Sequence, residues 1–204
     1  REAIFDAMMR KETYATTGSR MLVRFFAGYD FTEEDANSRL PADAGYRKGV
    51  PMGGNLAAAP DSKPPTFLVA ALKDVLSGNL DRIQIVKGWV DASGETHEKV
   101  YNVVWGGDRE LDADGKLPDV GNTVDVENAT WTNSIGAAEL IGVWKDPDFD
   151  PSLQAFYYAR VIEIPTPRWT AYEARRFGIE MPDEVPMITT ERAYTSPIWY
   201  TPSG

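Results

Sequence analysis

Residues 80–90, LDRIQIVKGWV, and 155–164, AFYYARVIEI, are the stretches whose reading decides the fold. In the first, Ile83 and Ile85 alternate with Arg82 and Gln84. In the second, Tyr157, Ala159 and Val161 alternate with Tyr158, Arg160 and Ile162. A period of two is that of a half-buried strand, because successive side chains point to opposite faces of a pleated sheet. Working outward, further short strand candidates recur between turn signals at 20–29, 67–72, 99–105, 123–130, 137–144 and 193–200. That cadence predicts a mainly β chain.

An aromatic, Trp89, on a central strand and a Tyr-rich later strand suggest an immunoglobulin-like β-sandwich. With no cysteine in 204 residues, the likeness is one of architecture only. A short N-terminal helix is expected over the opening REAIFDAMMRKETY, where Ile4 with Met8 and Phe5 with Met9 form stacked i,i+4 pairs and no N-cap residue precedes them. A second short helix is expected near the C-terminus, with Thr170 and Glu173 as a capping box and Gly178 as the stop, lying against the sandwich through Tyr172 or Phe177. Between them, residues 31–65 read as a long irregular insertion, with Gly53 and Gly54 adjacent and five prolines.

Composition excludes several classes of function. No run approaches the ~20 apolar residues needed to cross a bilayer, and mean hydropathy is -0.36. A net charge of -10 and a pI near 4.6, with no cationic stripe, argue against nucleic acid as a partner. The lack of cysteine leaves the compartment open between exported or periplasmic and cytoplasmic. With one histidine, His97, and no cysteine, the chain nearly lacks the residue types that a Ser/His/Asp arrangement, a zinc cage and a thiol nucleophile each need.

The remaining constellations each have a plain structural reading. The acidic stretch 108–127 opens like a calcium loop at Glu110, Asp112, Asp114 and Gly115, but its twelfth position is Gly121 and its flanks read as strands, so a solvated hairpin loop is expected. Asp146, Asp148 and Asp150 in DPDFDP read as a turn, with weak calcium binding as the sharper alternative. His97 reads as an exposed residue at a strand end. Candidates for ligand or interdomain contact are Gly53, Gly54 and Asn55, whose flexible backbone can approach a ligand closely, and Arg168 with Trp169, where a guanidinium and a stacking ring adjoin.

Several strings, RKETYATTGSRM, GVPMGGNL, GNLDRIQIVKGW, VYNVVWGGDR to GKLPDVGNTVDV, AFYYARVIEIPTPRWTAY and ERAYTSPIWYTP, resemble a bacterial family of unknown function. Full-length members of that family begin with a PHP (polymerase and histidinol phosphatase) metal-dependent hydrolase domain. The resemblance implies that residues 1–18 are the terminal helix of an upstream PHP-like domain and that 19–204 form a C-terminal β-sandwich. It also implies that divalent metal ions belong to the upstream part. The HxH and DxH motifs of PHP-like sites do not occur here, so no catalytic, metal or cofactor residue carries over. Asn55 departs from the Asp expected in MGGDL. The chain is thus expected to be accessory to a larger PHP-like phosphoesterase or hydrolase, with the upstream domain of the same polypeptide as partner. The alternative is an independent ligand- or glycan-binding module using exposed aromatics.

Overall fold

The alternating stretch at 80–90 is the longest strand in a computed structural model that describes residues 1–202. The chain runs through α1 (Glu2–Met9), β1 (Tyr14–Thr16), β2 (Leu22–Gly28), α2 (Glu33–Ala36), α3 (Pro41–Lys48), β3 (Gly49–Pro51), β4 (Asn55–Leu56), a 3-10 turn (Pro60–Ser62) and β5 (Thr66–Leu72). There follow β6 (Leu80–Val90), β7 (Thr96–Trp105), β8 (Glu139–Lys145), β9 (Ala155–Glu163), β10 (Thr166–Pro167), α4 (Trp169–Phe177), β11 (Ile188–Thr189), β12 (Arg192–Thr195) and β13 (Ile198–Tyr200). Strands hold 36% of residues and helices 16%, so the chain is mainly β, with several antiparallel sheets and, among the described residues, no barrel.

In the larger sheet β6 lies between β7 and β9. The other edge of β9 is shared, with β12 opposite 160–162 and β13 opposite 155–157. β12 continues to β1, and β13 pairs in parallel with β4. The second sheet has the order β3-β2-β5-β8, and β10 with β11 forms a small ribbon.

The predicted alternation holds across the β6–β9 pair. Ile83 lies opposite Val161 and Ile85 opposite Ala159, and all four are fully buried. On the other face Gln84 lies opposite Arg160, which donates from Nε and Nη2 to its side-chain oxygen at 2.9 and 2.6 Å, while Gln84 Nε2 donates to Asn102 at 2.8 Å. The inward residues of both sheets meet in one core, including Val23, Phe25, Phe67 and Val69 from one and Ile83, Tyr157 and Val161 from the other. The Phe67 ring joins them, 5.7 Å from Phe25 and 4.6 Å from Tyr157. Each such buried side chain contributes roughly 1.5–3 kcal/mol.

Segment 31–65, expected as irregular, contains α2, α3, β3 and β4. Thr32 and Asp35 form a capping box, with the Thr32 N–H donating to Asp35 at 2.8 Å, and Pro41 opens α3. Phe31, Ala36 and Ala44 from this segment pack on Phe26 and Leu68, on the face of the second sheet turned away from the main core. Helix α2 has only four residues, and α3, PADAGYRK, carries a glycine and no stacked pair of large apolar side chains, which is why the sequence reads there as loop.

Three other expectations need correction. Residues 123–130 form no strand but a turn closed by one bridge, Asp125 to Thr130, because Asp125 accepts from the Asn128 backbone and side chain and bends the chain on itself. The strand expected at 193–200 is two, β12 and β13, interrupted at Ser196 and Pro197, the latter having no N–H to continue a ladder. Helix α4 starts one residue before Thr170, with Arg168 at the N-cap position and Gly178 as a left-handed stop. Thr170 instead donates to the Pro186 carbonyl at 2.6 Å. The helix buries Thr170 and Ala171, leaving Tyr172 and Phe177 exposed, because the short β10–β11 ribbon and its linkers reach only that side.

Candidate functional site

Where β6, β7, β9 and β13 end together, the sequence brings two rings, Phe156 and Trp199, side by side on one face of the sheet. Residues directly opposed in a sheet share a face. Glu98 lies opposite Gly88, Gly88 opposite Phe156, Phe156 opposite Trp199, and Trp199 opposite Asn55. Gly88 is required in this row, since a Cβ there would sit 2.3 Å from the Phe156 ring. The Phe156 and Trp199 rings are 5.3 Å apart and inclined at 51°. Around them opens a cleft of about 470 Å³, whose lining includes Gly88, Trp89, His97, Glu98, Phe156 and Trp199.

On the other, inward face of the same strands, Trp89 stacks on His97 at 5.1 Å and 18° and packs against the core. His97 is on β7, near the strand end as expected, and its Nε2 lies 2.7 Å from Asp91. Asp91 also accepts from Ser93 and the Glu95 N–H, and these hydrogen bonds, Ser93 first and His97 next, hold its carboxyl well below the usual range. The turn joining β6 to β7 is thereby tied to the imidazole.

Behind Trp89 lies a buried ion pair. Lys87 Nζ donates to Asp146 and to the Asp148 carbonyl, each at 2.7 Å, and sits 5.4 Å from the Trp89 ring centroid. Tyr157 donates to the same Asp146 oxygen at 2.7 Å. Burial above all, with the Asp146 carboxylate beside it, pushes the Tyr157 phenol far up, so it stays a donor. Asp148 accepts from Lys99 and Tyr101, which hold its pKa below the ordinary range. Asp146, Asp148 and Asp150 do form the expected turn, with Asp148 N–H donating to Asp146 and Ser152 N–H to Asp150. What the motif did not disclose is that Asp146 is a buried counter-ion. The one available signal was Lys87 itself, which falls on the inward parity of Ile83 and Ile85.

The residues singled out from sequence separate into two places. Gly53 has φ +84, and a Cβ there would lie 2.2 Å from the Lys11 carbonyl oxygen; its N–H donates to Pro197 at 3.1 Å. The Gly54 carbonyl accepts from the Trp199 N–H at 3.1 Å. Both glycines therefore serve close backbone packing that fastens β13, while exposed Asn55 extends the aromatic row. Arg168 and Trp169 follow the far end of β9, about 25–30 Å along the strand, and do not line the cleft. There the guanidinium stacks 5.6 Å from an indole that is 58% exposed. The loop at 108–127 turns at Asp112 to Lys116 around the Asp112 carboxylate. Among the described residues no group of three or more His, Asp or Glu side chains is placed to hold a metal ion.

The tilted Phe156–Trp199 pair and the polar side chains of Thr96, Glu98 and Gln154 thus meet around one solvent-open cleft. The fold and this site define a mainly β, antiparallel protein region with an aromatic cleft at the end of its larger sheet. The chain belongs to the family described as a protein of unknown function (DUF3604), whose model matches residues 1–202. No curated protein and no solved structure matches the chain. Among the described residues no helix is long and apolar enough to cross a membrane.

Proposed function

We propose that this chain is an accessory, C-terminal, immunoglobulin-like β-sandwich region of a larger bacterial PHP-like metal-dependent phosphoesterase or hydrolase, and that it does not itself catalyse the reaction. The observation that carries this reading is α1. Ile4, Phe5, Met8 and Met9 are 68, 61, 63 and 66% exposed, and no residue of the helix is buried. A helix with four large apolar side chains in water has gained none of the roughly 1.5–3 kcal/mol that burying each would contribute. An upstream domain packed on that stripe would supply the missing partner.

The donor set of a PHP-like metal site does not fit the residues of this chain. His97 is the single histidine, and it faces Asp91 and the Trp89 ring. No step is therefore assigned here to a metal; on this reading such ions belong to the upstream domain. The test is hydrolysis of p-nitrophenyl phosphate with manganese present. The gene product purified from its source cells is expected to turn it over and residues 1–204 alone to be inert. Equal turnover by residues 1–204 would overturn the reading.

A further inference from the structure

We propose that the cleft at the end of the larger sheet is a carbohydrate-binding site, taking the pyranose rings of a neutral oligosaccharide. The site is complete within this chain and does not depend on the presence of an upstream domain.

Its dimensions suit a ligand of that size. About 470 Å³ falls within the range of small-molecule pockets and holds one or two sugar rings. Its chemistry is equally selective. The face of an aromatic ring is electron-rich, so it attracts the weakly positive C–H bonds that cover one side of a pyranose. Trp199, 44% exposed, and Phe156 offer such faces side by side as a platform on the outer face of the sheet. Sugar hydroxyls need donors and acceptors at the rim, and Glu98, Thr96 and Gln154 supply them.

Charge decides against anionic ligands. The lining contains Glu98 and no lysine or arginine, on a chain of net charge -10. Phosphorylated, sulfated and uronic ligands would be repelled.

The platform is also fixed before a ligand arrives, which lowers the ordering cost of binding. Gly88 provides the space over which the Phe156 ring lies. Trp199 is held on a strand that is paired on both sides, with β9 and with β4.

The test is calorimetric titration of this chain with cellohexaose, xylohexaose, maltohexaose and mannohexaose, with an oligogalacturonate as the anionic counterpart. Saturable binding of at least one neutral hexasaccharide is expected, weakened on the order of tenfold or more by Trp199→Ala and by Phe156→Ala. Phe177→Ala, on α4 and away from the cleft, is expected to bind as the unaltered chain does. Thermal unfolding of Trp199→Ala keeps loss of binding separate from loss of fold, since that side chain is half exposed. Absence of saturable binding to all four neutral sugars, affinity unchanged in both cleft variants, or preference for the oligogalacturonate would each overturn the proposal.

Discussion

Position 87 lies on the parity of Ile83 and Ile85, where the strand would place an apolar side chain, and the protein places a lysine. It is 4% exposed, and its partner Asp146 is 1% exposed. Taking one partner away leaves a charge buried without its counter-ion, which costs roughly 3–5 kcal/mol. Lys87→Met is therefore expected to lower the stability measured by urea unfolding by about that amount, and Lys87→Met combined with Asp146→Leu to recover much of it. A loss below about 1 kcal/mol in the single variant would show that the pair is not electrostatically significant.

Glu163 is a second buried ionisable group, fully inaccessible, with Ser77 donating to it at 2.6 Å. Burial first, and then the Glu191 and Asp74 carboxylates, raise its pKa above the ordinary 4.5, against the lowering effect of Ser19 and Ser77. The folded state thus binds the proton more tightly than the unfolded chain. Stability from this group is present below the ordinary value and falls as pH rises through the raised one. Glu163→Gln is expected to flatten that fall and to be more stable than the unaltered chain at neutral pH, as read from urea midpoints across about pH 4 to 8. An unchanged slope would contradict it. Neither partnership was legible in the sequence. Lys87 meets Asp146 only because β6 and the turn after β8 converge in space, and no local pattern records that convergence.

Among elements, legibility followed length and isolation. β6 and β9, eleven and nine residues long, show their period because each buries one face along its whole length. α2, β3 and β4 are too short to carry a period, α3 carries no stacked pair of large apolar side chains, and all four are held by what they cover. Candidate residues behaved similarly: Gly53, Gly54 and Asn55 were recognisable as unusual, but only the register of β4 with β13 reveals that they fasten Trp199. The cleft itself was visible in sequence only as an abundance of aromatics. Gly53→Ala tests the junction, because it adds a Cβ at φ +84 and 2.2 Å from a backbone oxygen that has no freedom to rotate away. A loss of about 1–3 kcal/mol in thermal unfolding is expected, and a neutral effect would mean that the approach of Lys11 is not maintained in solution.

For the molecule as a whole, the outer surfaces are unequal. One sheet has its outer face covered by Phe31, Ala36 and Ala44, whereas the outer face of the larger sheet and the apolar stripe of α1 meet solvent. On the proposed accessory role, the end that leaves Ile4, Phe5, Met8 and Met9 exposed is where an upstream domain would pack. The most direct measurement is the intact mass of the native gene product in its source cells. A species heavier than 22.6 kDa by at least a whole domain is the predicted result, and a native species of 22.6 kDa would contradict the accessory role.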